Sequence, residues 1–240
     1  MAHSAPITAK VQSTDKLLET LGWWRTQGDA WHALHGESQV QLRSIGNIRS
    51  QRAHAQTCHY IAQQGQVAPG LLGRPILSAA DLATLLARQT TEIIRALDRL
   101  RALHLRMLAN VQVMDENLRQ LRNHYTAEGT DLNSQVAVHS TVITQFTVGS
   151  AVIGPARVLA ILEHLADMYR AESEVQRNLL DQLSNAVLAD DGEHHDNDQG
   201  FDELMTRWID QCCVETVPEQ ELRDIIQTIE QLRRQAASVY

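Results

Sequence analysis

Residues 86–125, LARQTTEIIRALDRLRALHLRMLANVQVMDENLRQLRNHY, decide the fold class. Positions 86, 90, 93, 97, 100, 104, 107, 111, 114, 118, 121 and 125 alternate four- and three-residue steps, and all but Thr90 and His104 are Leu, Ile, Val, Met or Tyr. That repeat draws one apolar stripe along an α-helix and marks a helix packed against other long helices. Ser78, with Asp81 three residues on, forms an approximate capping box ahead of the run. A continuous helix over 78–125 would be roughly 70 Å long at about 1.5 Å per residue. That far exceeds the globular mean of about 11–12 residues, so it needs long neighbours to lie against.

Working back toward the N-terminus, Leu17, Leu21, Trp24, Gly28, Trp31, Leu42, Ile45 and Ile48 keep a similar spacing from Thr14 to about Gln63. One long amphipathic helix is expected there. Gly22, Gly28, Gly36 and Gly46 interrupt it, each costing about 1 kcal/mol relative to Ala in a helix, so a break or bend within 22–37 is expected. Gly65, Pro69, Gly70, Gly73 and Pro75 then read as a loop.

Working forward, residues 126–154 lose the helical period. Val136, Val138, Val142, Ile143, Phe146 and Val148 sit among Ser, Thr and Gly, and part of the run alternates like a strand. A single short strand without a partner is marginal, so an ordered or semi-ordered connection is expected. Gly154-Pro155 opens a third helix, with proline at the first helical position, and Val158, Leu162, Leu165, Tyr169, Leu179, Leu180 and Leu183 give it an apolar face to about residue 186. Asp190, Asp191, Glu193, Asp196 and Asp198 mark a solvated linker. Two tail helices follow, Phe201 to about Cys213 and Glu219 to about Ala236, too small a pair to be stable alone.

The expected fold is therefore all-α: an elongated antiparallel three-helix bundle with long coiled-coil-like helices and a C-terminal helical hairpin. Its parts are a disordered N-terminus at 1–13, the bundle at 14–188 with its connection at 126–154, an acidic linker at 189–200, and the hairpin at 201–240. Composition agrees. The 240 residues are 43% apolar but only 4% aromatic, and 12 Gly with 5 Pro are too few turn-formers for a sandwich or barrel.

Net charge is −8, which repels nucleic acid and anionic lipid. Arg88, Arg95, Arg99 and Arg106 form a local basic stripe on the side of the long helix away from the apolar seam, and read as solvated face charges rather than a nucleic-acid site. There is no run of 18 apolar residues and no signal-peptide pattern, so a soluble intracellular protein with no membrane contact is expected. The odd set Cys58, Cys212 and Cys213 argues against a disulfide framework.

Chemistry-bearing motifs are sparse. No phosphate-binding glycine loop, nucleophile elbow or inward Glu-x-x-His pair is present, so no enzyme, cofactor or metal is expected. His194 and His195 lie in the acidic linker, where nothing presets a coordination shell. Cys212-Cys213 lacks the two-residue gap of a zinc knuckle, and His104 reads as a satisfied core histidine. Trp23, Trp24 and Trp31 crowd one helix and Trp208 sits in the tail, which is core packing or a set of interface anchors.

Asp29-Ala30-Trp31-His32, Gly46-Asn47-Ile48, Met168-Tyr169-Arg170, and Leu204 to Glu215 with Trp208-Ile209-Asp210-Gln211 and Val214-Glu215 occur in that order. With them, the chain from about Asp15 to Leu232 resembles the cyclin-dependent kinase 2-interacting protein family. It departs from the family in the longer 126–154 connection, the acidic 190–200 insertion and Cys212-Cys213. The resemblance implies a non-enzymatic helical adaptor, nuclear and cytoplasmic. It would pair with a second, similar helical protein, as a heterodimer, and attach to an AAA+ ATPase in maturation of the large ribosomal subunit and at replication forks, with links to a cyclin-dependent kinase and checkpoint control. It also implies that Trp208, Val214 and Glu215 help hold the tail or its partner.

Together these readings predict an interface along the apolar seam, with Trp24, Trp31, Leu100, Met107, Tyr169, Trp208, Val214 and Glu215 as its candidate residues. The competing expectation is a coiled-coil tethering or scaffold subunit of another intracellular complex, which would need clean heptads on several helices.

Overall fold

The computed structural model describes residues 7–63, 78–127, 146–148, 151–153, 155–188 and 197–238. Among them the protein is all-α, with five helices: α1 (Ile7–Gln63), α2 (Ala79–Ala127), α3 (Pro155–Leu188), α4 (Asn197–Asp210) and α5 (Thr216–Ser238). Between α2 and α3 lie two three-residue strands, β1 (Phe146–Val148) and β2 (Ala151–Ile153). They pair antiparallel, with Phe146 opposite Ile153 and Val148 opposite Ala151. The strand-like run expected to stand alone thus has a partner immediately beyond it. The rest of the 126–154 connection beyond Ala127, and His194 and His195 of the acidic stretch, lie outside the described residues.

Helix boundaries follow local chemistry. Ser78 Oγ accepts the Asp81 N–H at 3.1 Å and donates to the Asp81 carboxylate at 2.6 Å, which satisfies one of the orphan donors at the start of α2. α3 begins at Pro155. α5 begins at Thr216, three residues before the expected start, because Pro218 falls in its first turn, where no intrahelical donor is required. α1 begins at Ile7, inside the stretch expected to be disordered, and α4 begins at Asn197, inside the stretch expected to be linker.

No break interrupts α1 within 22–37. Two of its glycines have a packing reason to be there. A Cβ on Gly28 would lie 3.0 Å from Tyr169 Oη, and one on Gly46 would lie 3.4 Å from Met205 Sδ. Close approach of a neighbour at both positions offsets their propensity cost, which is about 1 kcal/mol each.

The chain forms two compact units, each drawing on α1, α2 and α3. The first unit takes α1 through Ala33, α2 from Met107, the strand pair, α3 through Glu174, and the chain from Gln211 through α5. Trp24 and Trp31 of α1, Met107, Val111, Met114 and Leu118 of α2, Leu162, Leu165 and Tyr169 of α3, and Ile225 and Ile229 of α5 are buried in it. Trp24 Nε1 donates to Asn117 Oδ1 at 2.8 Å, and Asn110 Nδ2 donates to the Gln27 carbonyl at 2.9 Å. These bonds pair two of the donors that packing removes from water, while Asn110 Oδ1 and Trp31 Nε1 are buried without a partner. Around the edge, Arg170 pairs with Asp115, Arg122 with Glu163 and Arg157 with Glu221.

The second unit takes α1 from Leu34, α2 through Arg106, α3 from Val175, and α4. Its core joins Leu42 and Ile45 of α1, Ile93, Leu97 and Leu100 of α2, Leu179, Leu183 and Val187 of α3, and Phe201 and Trp208 of α4. Burying each such side chain contributes about 1.5–3 kcal/mol. Trp208 Nε1 donates to Ser38 Oγ at 2.9 Å, and Ser38 Oγ donates to the His35 carbonyl at 2.6 Å. Arg49 lies 4.5 Å over the Phe201 ring and donates to the Ala186 carbonyl at 3.2 Å. The expected 201–240 hairpin is therefore divided: α4 packs in the second unit and α5 in the first.

Candidate functional site

Two polar constellations stand out, both in the first unit. One joins α1, α3 and α5. His32 Nε2 lies 2.7 Å from Glu219 Oε1, and the buried Tyr169 hydroxyl donates to the same oxygen. Arg223 approaches the other carboxylate oxygen at 3.9 Å and Asp29 at 3.9 Å. Trp31 packs on the Tyr169 ring, with centroids 5.0 Å apart. A cavity of about 10 Å³ beside them, bounded by Trp24, Gly28, Leu222 and Arg223, has room for about one water molecule.

The electrostatics follow from this arrangement. The hydrogen bond to Glu219 raises the His32 imidazole above its ordinary range, against the opposing effect of partial burial. For Glu219, burial acts to raise the carboxyl, but the hydrogen bonds from His32 and Tyr169 outweigh it and the net shift is downward. Burial, and then the bond to Glu219, push the Tyr169 phenol above the ordinary tyrosine range. At neutral pH the phenol keeps its proton, and the cluster acts as a clamp between three helices.

The second constellation is the turn between α4 and α5. Gln211 has a φ of 45°, in the left-handed region, and its carbonyl accepts the Val214 N–H at 2.9 Å. This reversal aims the cysteine pair at α3. The Cys213 backbone N–H donates to Glu172 Oε2 at 3.0 Å, Cys212 Sγ lies 4.0 Å from the same oxygen, and the two sulfurs are 3.8 Å apart. Glu172 is fully buried, Cys213 half-buried and Cys212 exposed. Burial, followed by the neighbouring Cys212 and Glu172, pushes the Cys213 thiol up to about 11. One ligand atom from each of these three residues lies within 4.8 Å of the others, which makes them the group suited to a metal among the described residues.

The residues predicted as an interface divide sharply. Trp24, Trp31, Leu100, Met107, Tyr169 and Trp208 are each 1% exposed or less, enclosed by this chain's own side chains. The prediction that the seam on α2 would remain partly open for a partner is corrected. α1 is an unbroken helix, and the stripe residues Ile93, Leu97, Leu100, His104, Met107, Val111, Met114 and Leu118 are all buried. Val214 is half-buried, and Glu215 is exposed, with its carboxylate 3.8 Å from His164 Nε2 and its backbone N–H 3.0 Å from Met168 Sδ. Of the eight, only the last two reach the surface.

Glu172, His32 and Glu219 escaped the sequence reading. For Glu172 a signal exists: extending the 165, 169 spacing of α3 to 172, 176 and 179 puts Glu172 and Gln176, both fully buried, on the apolar stripe. His32 and Glu219 carry no such signal, because they lie 187 residues apart and meet only through tertiary packing. Comparisons with protein-family models, with curated proteins and with solved structures find no match to this chain.

Proposed function

We propose that this chain is a non-enzymatic helical adaptor subunit that pairs with a second helical protein. The body of the adaptor, on this reading, is an antiparallel bundle of α1, α2 and α3. Hydrogen bonds between these helices within each unit support it, such as Trp24 to Asn117 and Arg101 to Ser184. No helix among the described residues is long and apolar enough to cross a membrane.

One observation carries the proposal: the outward face of α2 in the second unit bears large apolar side chains. Ile94 is 42% and Leu105 63% exposed. They lie eleven residues apart, three helical turns, and so fall within about 20° of each other around the axis. Between them on the same face stand Asp98 and Arg101, exposed and paired with each other at 3.0 Å, while Arg95 lies about 100° around the axis from Ile94. Two exposed apolar side chains on either side of an ion pair suit an amphipathic partner helix that sets apolar anchors three turns apart with polar groups between them. The partner surface is thus assigned to this face, and the seam of Leu100 and Met107 to the interior.

The resemblance to the cyclin-dependent kinase 2-interacting protein family supplies the proposed setting: an AAA+ ATPase complex acting in large-subunit ribosome maturation and in replication or checkpoint control, in nucleus and cytoplasm. The exposed Glu215 at the α4–α5 turn is a second point of attachment on that analogy. The test is affinity purification of the tagged full chain at moderate salt with mass spectrometry of its partners, alongside an Ile94→Asp/Leu105→Asp variant of unchanged helicity. Recovery of AAA+ ATPase subunits and a small helical protein, lost in the variant, is the expected result. Recovery of membrane tethers, cytoskeletal proteins or the chain alone would overturn it.

A further inference from the structure

We infer that Cys212, Cys213 and Glu172 form a binding site for one thiophilic divalent cation, Zn²⁺ in the first instance. Two thiolates on a tetrahedral zinc, each about 2.3 Å from the metal, stand about 3.8 Å apart. The Sγ atoms of Cys212 and Cys213 are 3.8 Å apart. Glu172 Oε2, 4.0 Å from Cys212 Sγ, closes a three-point face from a helix far away in sequence. A disulfide would instead require the sulfurs to close to about 2.05 Å.

Three further features favour a cation. Glu172 is fully buried, so its carboxylate is held in place by packing rather than free to retreat into water. Its Oε2 accepts the Cys213 backbone N–H at 3.0 Å, which fixes the orientation of the acid relative to the turn. The left-handed Gln211 reverses the chain so that adjacent residues can present both sulfurs to one point. On binding, each thiol gives its proton to solvent and the sulfur becomes an anionic ligand. Cys212 is exposed, so the fourth position opens to water or to a ligand atom from outside the chain. Soft sulfur donors select zinc and its thiophilic relatives over Mg²⁺ or Ca²⁺. This site is independent of the apolar face of α2 and stands or falls separately from the adaptor reading.

The test uses the full chain, purified under reductant, freed of metal with a chelator and titrated with Co²⁺ as a coloured substitute for Zn²⁺. One equivalent producing a thiolate-to-cobalt charge-transfer band, bleached by one equivalent of Zn²⁺, is expected. Cys212→Ser and Cys213→Ser should each lose the band while keeping the wild-type helicity by circular dichroism. Glu172→Gln should weaken binding. Cys58→Ser is the control for stray thiol binding, because Cys58 lies 3.6 Å from His54 Nε2 on an exposed stretch of α1, and it should bind as wild type. No band in the wild type, a band that survives Cys213→Ser, or a band lost only in Cys58→Ser would each overturn the site. So would a 212–213 disulfide, found by mass spectrometry, as the resting form of the chain taken from its own cells.

Discussion

Gly28 and Tyr169 touch: the position a Cβ would take on Gly28 is 3.0 Å from the Tyr169 hydroxyl oxygen. That oxygen cannot easily retreat, because it donates to Glu219 and its ring is packed on Trp31. Helix α1 therefore carries a residue of poor helix propensity where a side chain of α3 lies close against it.

Gly28→Ala should lower the melting temperature despite the better propensity of alanine. Gly22→Ala and Gly36→Ala, where nothing lies within 4 Å of the added methyl, should raise stability, each by up to about 1 kcal/mol. Chemical denaturation of the three variants checks the sign. Equal stabilisation by all three would show that the hydroxyl moves aside.

Trp208→Ala should destabilise by about 3–5 kcal/mol, since it empties a fully enclosed site of an indole and leaves Ser38 without its donor. Leu105→Asp, on an exposed face, should change stability by no more than about 0.5 kcal/mol while weakening partner capture. Thermal melts set beside pull-downs separate the two. A Trp208→Ala protein that melts normally but loses its partner would return Trp208 to the interface.

The His32–Glu219 pair sets a stability window in pH. His32 is raised in the folded state, so its contribution is complete below the unfolded value of 6.5 and is lost as pH rises through the folded value. Glu219 is lowered, so its contribution is present above 4.5 and is lost as pH falls through the folded value. Arg223 opposes and Asp29 reinforces the charge on His32. Stability from this cluster should be greatest between the two unfolded values. Denaturation midpoints across pH 5–9 for wild type and His32→Gln check it, and the variant should lose less stability on the alkaline side.

Ser78→Ala removes the acceptor of the Asp81 N–H and should cost about 1 kcal/mol. Ser78→Asp, which keeps an acceptor at the cap, should recover much of that in the same denaturation assay.

The helical class, the extents of α2 and α3, and the burial of Ile93, Leu97, Leu100, Met107, Val111, Met114 and Leu118 were legible from spacing alone, because helical periodicity is local information carried by neighbours three and four residues apart. The cap at Ser78 was legible for the same reason. What covers that stripe was not. The glycines of α1 suggested a bend that would leave it open, and only packing shows Tyr169 and Met205 seated against Gly28 and Gly46 in an unbroken helix. The two tail helices are adjacent in sequence and looked like one hairpin, yet Phe201 and Trp208 find their apolar partners in one unit and Ile225 and Ile229 in the other. The candidate site was least legible. Glu172 meets Cys212 and Cys213 across about 40 residues, and His32 meets Glu219 across 187. Local sequence determined which faces are apolar; tertiary packing decided which polar side chains meet, because their free energy depends on partners that the local pattern does not contain.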